Sequence, residues 1–306
     1  MNGKEKVTGP ITVTTAGFDP SGGAGIIADI KTFTAFGCTP NGAITSLTFQ
    51  NERGVWGAAH QTAETLRAQV EAIVAESHIS AVKTGMLPTR EIVAEAARLF
   101  RETELPAPVV DPVLRSTSGF ELMEADAIEV LLTELMPRAR LITPNIPEAE
   151  KLTGLRIESK EAMREAASRL REMGARAVLI KGGHLEQRSE VRGQWSVRGT
   201  SPTRGPQTGS PAGVGAVREG SAQAIDVLDD EGRVTVFRGD WIDAPPVRGT
   251  GCMLSAAIAA CLAQGMTLET SVRAAKQFVA DAIRYAPKLG PDPVTLELTE
   301  ITTLEE

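Results

Sequence analysis

Residues 11–37 read ITVTTAGFDPSGGAGIIADIKTFTAFG, and this stretch decides the fold. Ile11 to Gly17 is a short β-branched run of the kind that forms a buried strand. From Ala24 to Phe36 the apolar residues Ile26, Ile30 and Phe33 recur at helical spacing, and Gly37 stands just past the end. The spacing therefore predicts a strand feeding a helix through the turn Asp19-Pro20-Ser21-Gly22-Gly23-Ala24-Gly25. The same alternation recurs downstream. Residues 43–49, 79–85, 108–113, 140–145 and 177–183 read as strands, and residues 65–76, 90–100, 127–136 and 159–173 as helices. Strands alternating with helices predict a mostly parallel sheet covered by helices on both faces, a three-layer α/β/α architecture. Ligands then belong at the carboxyl ends of the strands.

Residues 223–230 and 233–239 are expected to form an antiparallel hairpin about the acidic turn Asp229-Asp230-Glu231-Gly232, and two helices, 253–264 and 271–286, follow. Residues 186–221 break the pattern. They are rich in Gly, Pro, Ser and Arg and have no apolar period, so they read as an inserted flexible loop within a single domain spanning residues 1–306. A solvated insertion and a contact site for an acidic partner or nucleotide are both open to it.

The chain has 306 residues, with 32 Lys and Arg against 39 Asp and Glu and a net charge of −7. No long-range positive field draws it to nucleic acid or anionic lipid, so neither is an expected partner. A phosphate ligand must be held by local groups. The three cysteines, Cys38, Cys252 and Cys261, show no zinc or disulfide spacing and suit a reducing cytoplasm. No signal peptide or membrane-spanning stretch is expected.

Arg248-Gly249-Thr250-Gly251-Cys252 stands directly before a small-residue helix. Glycines there let the backbone approach a ligand, and the helix start adds partial positive charge, so Gly249, Thr250 and Gly251 are candidates for an anion hole. An ordinary Gly-rich turn gives the same five letters. Neither a Walker A sequence nor G-x-G-x-x-G occurs. Lys181 ends a strand, where its ammonium could act as a point charge on a transferring phosphoryl group. Asn145 and Glu148, three residues apart at another strand end, could address one metal–water shell of the sort magnesium prefers. Glu148 serves equally as an acid in the first turn of a helix. Asp111, before Pro112, could face the same cleft or close an Asx turn.

Together, AGFDPSGGAG (16–25), DIKTF (29–33), FQNERGV (49–55), KTGML (83–87), DPV (111–113), LITPNIPEA (141–149), KGGH (181–184) and GTGC (249–252) closely resemble the hydroxymethylpyrimidine/phosphomethylpyrimidine kinases of the ribokinase-like superfamily. The resemblance spans roughly residues 11–290 apart from the insertion. It implies phosphorylation by ATP of 4-amino-5-hydroxymethyl-2-methylpyrimidine and then of its monophosphate, in thiamine biosynthesis, with Mg2+ and commonly as a homodimer. It places Gln50, Asp19, Gly22, Gly23, Met86 and Val113 against the pyrimidine. Asn145, Lys181, Gly249, Thr250 and Gly251 fall against ATP, and Asp111 and Glu148 beside the metal. Cys252 takes the position of the catalytic aspartate of related sugar kinases, and a helix N-terminus favours its thiolate, which could accept the hydroxymethyl proton. A small buried helix residue is the plainer use of that cysteine. The amide of Gln50 can accept from the ring's exocyclic amine and donate to the adjacent ring nitrogen.

Where the family has Asn-Thr-His before GTGC, this chain has Pro246-Val247-Arg248, and Arg248 could add positive charge near the phosphates. Two rival functions fit the same residues: a pyridoxal kinase of the same superfamily, and a nucleotide-binding protein with weakened catalysis that uses the insertion to meet a partner.

Overall fold

The computed structural model describes residues 9–51, 53–183, 223–242, 244 and 247–285. The insertion expected at 186–221 lies outside them, as does Pro246. One nine-stranded sheet runs through the described chain. Its strands are β1 (Ile11–Phe18), β2 (Thr39–Asn51), β3 (Gly54–His60), β4 (Ala81–Thr84), β5 (Val109–Val110), β6 (Leu141–Ile142), β7 (Ala177–Lys181), β8 (Gln223–Asp230) and β9 (Arg233–Asp240). The spatial order is β3-β2-β1-β4-β5-β6-β7-β8-β9. The block from β2 to β7 is parallel, and β3, β8 and β9 extend it through antiparallel pairings.

The described helices are α1 (Gly25–Ala35), α2 (Ala63–Val74), α3 (Arg90–Glu102), α4 (Ala125–Val130), α5 (Ile146–Thr153), α6 (Lys160–Glu172), α7 (Thr250–Ala263) and α8 (Leu268–Tyr285). Alternate residues of the short central strands point to opposite layers. Val110, Ile142 and Val178 join the core that holds Leu66 of α2, Ile92 of α3 and Met163 of α6, whereas Val109, Leu141 and Leu179 join the core of Phe33 from α1, Ile258 from α7 and Val272 from α8. Burial on both faces explains why these strands read as unbroken apolar runs. α7 is buried continuously from Met253 to Cys261, as a helix of small and apolar residues must be when covered on every side.

The expected alternation is observed, with differences in detail. β3 was not anticipated: it returns from β2 across a register shift at Phe49/Gln50 and pairs Gln50 with Val55. The helix expected at 127–136 begins at Ala125 and, after Val130, widens into a π turn over Leu131–Leu135 and a 3-10 turn over Met136–Arg138. The strand expected at 108–113 pairs only through Val109 and Val110, and that expected at 140–145 only through Leu141 and Ile142. The hairpin forms as read, with positive φ at both Glu231 and Gly232.

Chain order and spatial order part at β1, whose neighbours are β2 on one side and β4 on the other. Crossovers leave in opposite directions there, which opens a crevice beyond the strand ends. The carboxyl ends of β1, β4, β5, β6 and β7 all lie on that side.

Candidate active site

Successive strand ends are tied by the backbone. Asp111 N–H donates to Thr84 O at 2.9 Å, Thr143 N–H to Val110 O at 2.9 Å, and Lys181 N–H to Pro144 O at 2.9 Å. This staircase brings Asp111, Asn145 and Lys181 to one edge. Lys181 Nζ lies 2.9 Å from Asp111 Oδ1, the oxygen to which Thr143 Oγ1 donates at 3.0 Å. Ser255, from the first turns of α7, donates to Asp111 Oδ2 at 3.3 Å. Burial works against the Asp111 charge, but Lys181 and Lys83 outweigh it and hold the carboxyl below its ordinary pKa. Lys181 is likewise raised: its own burial opposes the ammonium, and Asp111 and Glu148 more than restore it.

The expected Gly-rich loop meets this pair. Gly249 is the N-cap of α7 at φ 76°, and no side chain caps the helix. The first-turn N–H groups of Thr250, Gly251 and Cys252 therefore have no partner inside the helix. A β-carbon at Gly251 would stand 3.3 Å from Lys181 Nζ, a tight approach that would push the ammonium by a few tenths of an ångström. At Gly249 a β-carbon would overlap the carbonyl oxygen of Gly23. The two glycine clusters, more than two hundred residues apart in sequence, are thus in backbone contact.

Asn145 and Glu148 form a reciprocal capping box at the start of α5. Glu148 N–H donates to Asn145 Oδ1 at 2.9 Å, and Asn145 N–H to Glu148 Oε2 at 2.8 Å. The capping role thus uses one oxygen of each. It leaves the Asn145 amide NH2 for a ligand, while the Glu148 carboxyl also takes the Leu114 N–H. Burial pushes the Glu148 carboxyl up to about 7; the Asp111 charge adds to that, against the pull of Lys181 and the N–H groups of Asn145 and Leu114. Among the described residues no three of His, Cys, Asp and Glu gather into a protein-made metal cage. Two carboxylates that repel one another across a cleft fit a hard cation held by few protein oxygens and otherwise by water and phosphate, as magnesium is.

Toward β1, Asp19 Oδ1 accepts from the backbone N–H of Ser21 at 2.9 Å and its hydroxyl at 2.6 Å, and Gly22 takes φ 72°. Met86 is nearly covered and packs on Gly17, where a β-carbon would lie 2.8 Å from its Sδ. Gln50 is half-buried at the end of β2, and Val113 is half-buried beyond Asp111. Cys252 is partly exposed in the first turn of α7.

Two expectations change. Burial pushes the Cys252 thiol up to about 11, despite Lys83 and the Gly25 N–H, with Asp29 and Asp111 adding to the rise. The helix start does not by itself deliver a thiolate, because burial disfavours the charged sulfur and it faces carboxylates as well as an ammonium. Arg248 does not face the Lys181 edge. It pairs with Asp19 and donates to the Asn51 carbonyl, since the loop turns at Gly249 and sends residue 248 toward β2.

Sequence reasoning missed Lys83 and Asp29, an ion pair with neither side chain exposed, 2.8 Å apart beneath this floor. Asp29 shares the apolar face of α1 with Ile26 and Phe33, and Lys83 sits inside an apolar strand. Charges at core positions were the available signal.

Known proteins bear on this geometry. The family model described as phosphomethylpyrimidine kinase matches residues 19–207 and 213–296. The hydroxymethylpyrimidine/phosphomethylpyrimidine kinase of Streptomyces coelicolor is 37% identical over 284 residues, covering 93% of this chain and 92% of that one. A crystal structure of phosphomethylpyrimidine kinase from Clostridium difficile superposes with TM-score 0.70 at 32% identity, covering 90% of this chain and 99% of that chain. The pyridoxal kinase from Staphylococcus aureus in complex with AMP-PCP and pyridoxal superposes with TM-score 0.76 at 27% identity, covering 97% of each. The fold is the ribokinase-like one these structures share.

Proposed function

Because the chain belongs to the phosphomethylpyrimidine kinase family, we propose that it transfers the γ-phosphoryl group of ATP first to 4-amino-5-hydroxymethyl-2-methylpyrimidine and then to the monophosphate, for thiamine diphosphate synthesis. The observation that carries this reading is the meeting of Lys181, Asp111 and the uncapped start of α7 at one strand edge. Phosphoryl transfer asks mostly for positioning and for neutralising charge on the phosphoryl oxygens.

In this reading the α7 amides of Thr250, Gly251 and Cys252 receive the phosphoryl oxygens, and the Asn145 amide approaches the ATP phosphates. The substrate hydroxyl attacks the γ-phosphorus as its bond to the ADP oxygen breaks, and Lys181 adds a fixed positive charge to the oxygens in flight. Asp111 orients that ammonium. Gln50 reads the ring's amine and nitrogen, flanked by Asp19, Gly22, Gly23, Met86 and Val113. Asp111 and Glu148 would hold magnesium, which supplies charge neutralisation on the phosphates. Cys252, at the start of α7, is the group placed to take the hydroxyl proton once it is ionised. We take residues 1–306 as one catalytic domain with an insertion at 186–221, acting in the cytoplasm; no described helix is long and apolar enough to cross a membrane. A homodimer is proposed on the resemblance. Exposed Leu47, Phe49 and Trp56 on β2 and β3 are surface it could use, and light scattering tests it.

The deciding experiment offers the purified protein equal amounts of hydroxymethylpyrimidine and pyridoxal against limiting ATP and weighs the products over time. Pyrimidine monophosphate followed by diphosphate is expected. Dominant pyridoxal phosphate would move the chain to the other kinase activity, and no transfer to either would leave a nucleotide-binding protein.

A further inference from the structure

Arg248 reaches away from the helix it precedes. Its Nη1 donates to the carbonyl of Asn51, the residue after Gln50, at 2.6 Å, and lies 3.4 Å from Ser21 Oγ. Its Nη2 faces Asp19 Oδ2 at 3.6 Å, within ion-pair range but too far for a hydrogen bond. Asp19 is 1% exposed, and its Oδ2 accepts no hydrogen bond among the described residues. A buried carboxylate oxygen without a donor is costly. Here a guanidinium that cannot lose its charge stands opposite it, held by attraction alone. Both members of this loose pair keep unused hydrogen-bonding capacity.

The position of the pair gives that capacity a use, on the function proposed above. After the first transfer the new phosphate hangs from the hydroxymethyl carbon, between the side chain that reads the ring and the amides that held the γ-phosphate. Arg248 spans that interval, from Asn51 beside Gln50 to Gly249 at the start of α7. A neutral alcohol makes little use of that capacity. A phosphate dianion does, through two charge-assisted hydrogen bonds to a planar fork.

We infer that Arg248 is the residue that selects the phosphorylated intermediate, turning the unused hydrogens of its guanidinium to the phosphate oxygens of the monophosphate while it stays beside Asp19. In the second transfer an oxygen of that phosphate attacks the γ-phosphorus of a fresh ATP, the bond from that phosphorus to ADP breaks, and ADP departs. Arg248 moves no proton; it supplies charge and orientation.

Calorimetric titration without nucleotide tests this, using the alcohol and its monophosphate as probes on wild type, Arg248→Gln and Arg248→Lys. Arg248→Gln is expected to weaken the monophosphate by about tenfold or more, the scale of one charge-assisted hydrogen bond, and the alcohol by less than about twofold. Arg248→Lys falls between, because it keeps the charge and loses the fork. During turnover Arg248→Gln should release monophosphate that wild type carries through to diphosphate. Retained alcohol binding shows that the variant is folded. Equal losses for both ligands, or none for either, would overturn the inference. Wild type that binds neither pyrimidine would bring down the proposed function and this inference with it.

Discussion

The ammonium of Lys83 lies 2.8 Å from the carboxylate of Asp29, and neither side chain is exposed. Thr14 of β1 donates to the same oxygen at 2.6 Å, and Gly85 leaves room where a β-carbon would stand 2.7 Å from Nζ. The pair thus joins α1 to β1 and β4 at the point where the sheet's connections diverge. Burial disfavours the ammonium, yet Asp29, with Cys252 and Asp111, keeps the Lys83 pKa raised. Removing one partner strands a buried charge. Lys83→Met should therefore cost about 3–5 kcal/mol, read as a lower urea midpoint at unchanged slope, and Lys83→Met with Asp29→Leu should recover most of it. A single-variant loss in the range of a surface pair, about 0–1 kcal/mol, would deny the pair its bracing role.

How far the sequence discloses such features depends on whether a pattern is local. The alternation that places β1, α1 and the buried strands is written in apolar spacing, and the loop and strand-end residues Asp19, Asp111, Asn145, Lys181 and Gly249 follow from it. β3 is not written that way. Gly54-Val55-Trp56-Gly57-Ala58-Ala59-His60 has no two-residue period, and it becomes a strand through its partner β2. The π turn at Leu131–Leu135 is equally silent, because a wider turn keeps nearly the same apolar period. The Cys252 thiol and the direction of Arg248 depend on tertiary neighbours, Lys83, Asp29 and Asp19, that no spacing around residue 250 reveals.

Gly249→Ala should injure the site directly. The residue holds φ 76°, and the added carbon meets the Gly23 carbonyl, so about 1–2 kcal/mol of backbone strain comes with a shift of the loop against its neighbour. The expected result is a rise in KM for ATP of about tenfold or more. Gly239→Ala, with open space around it, is the control. Unchanged ATP kinetics in Gly249→Ala would remove the loop from phosphate binding.

Lys181→Met should lower kcat by about 10²–10³-fold, the scale of losing one preorganised charge at a developing anion, with little change in KM for the alcohol. Lys181→Arg should rescue poorly, since a planar guanidinium does not reproduce a compact ammonium placed 2.9 Å from Asp111 Oδ1. Full rescue by arginine would mean that the site needs charge without this geometry.

Cys252 sets the expected pH dependence. Its thiol is pushed up to about 11 from an ordinary 9.0 by burial, so near neutral pH it carries its proton. If the thiolate takes the hydroxyl proton, kcat should rise about tenfold per pH unit from about pH 7 to about pH 9, following the thiolate fraction. Alkylation of Cys252 by iodoacetamide should rise in parallel, and Cys252→Ala should lose both the slope and most of the rate. The sign for stability is opposite. A thiol whose pKa is higher when folded contributes stability that is fully present below pH 9.0 and is lost as pH rises toward about 11, which confines the assay to its lower side. A flat kcat over that interval would hand the proton to the phosphoryl oxygens themselves. A loose transition state permits this, because the attacking oxygen gives up its proton late. Cys252 would then serve by filling the start of α7 beside Lys83.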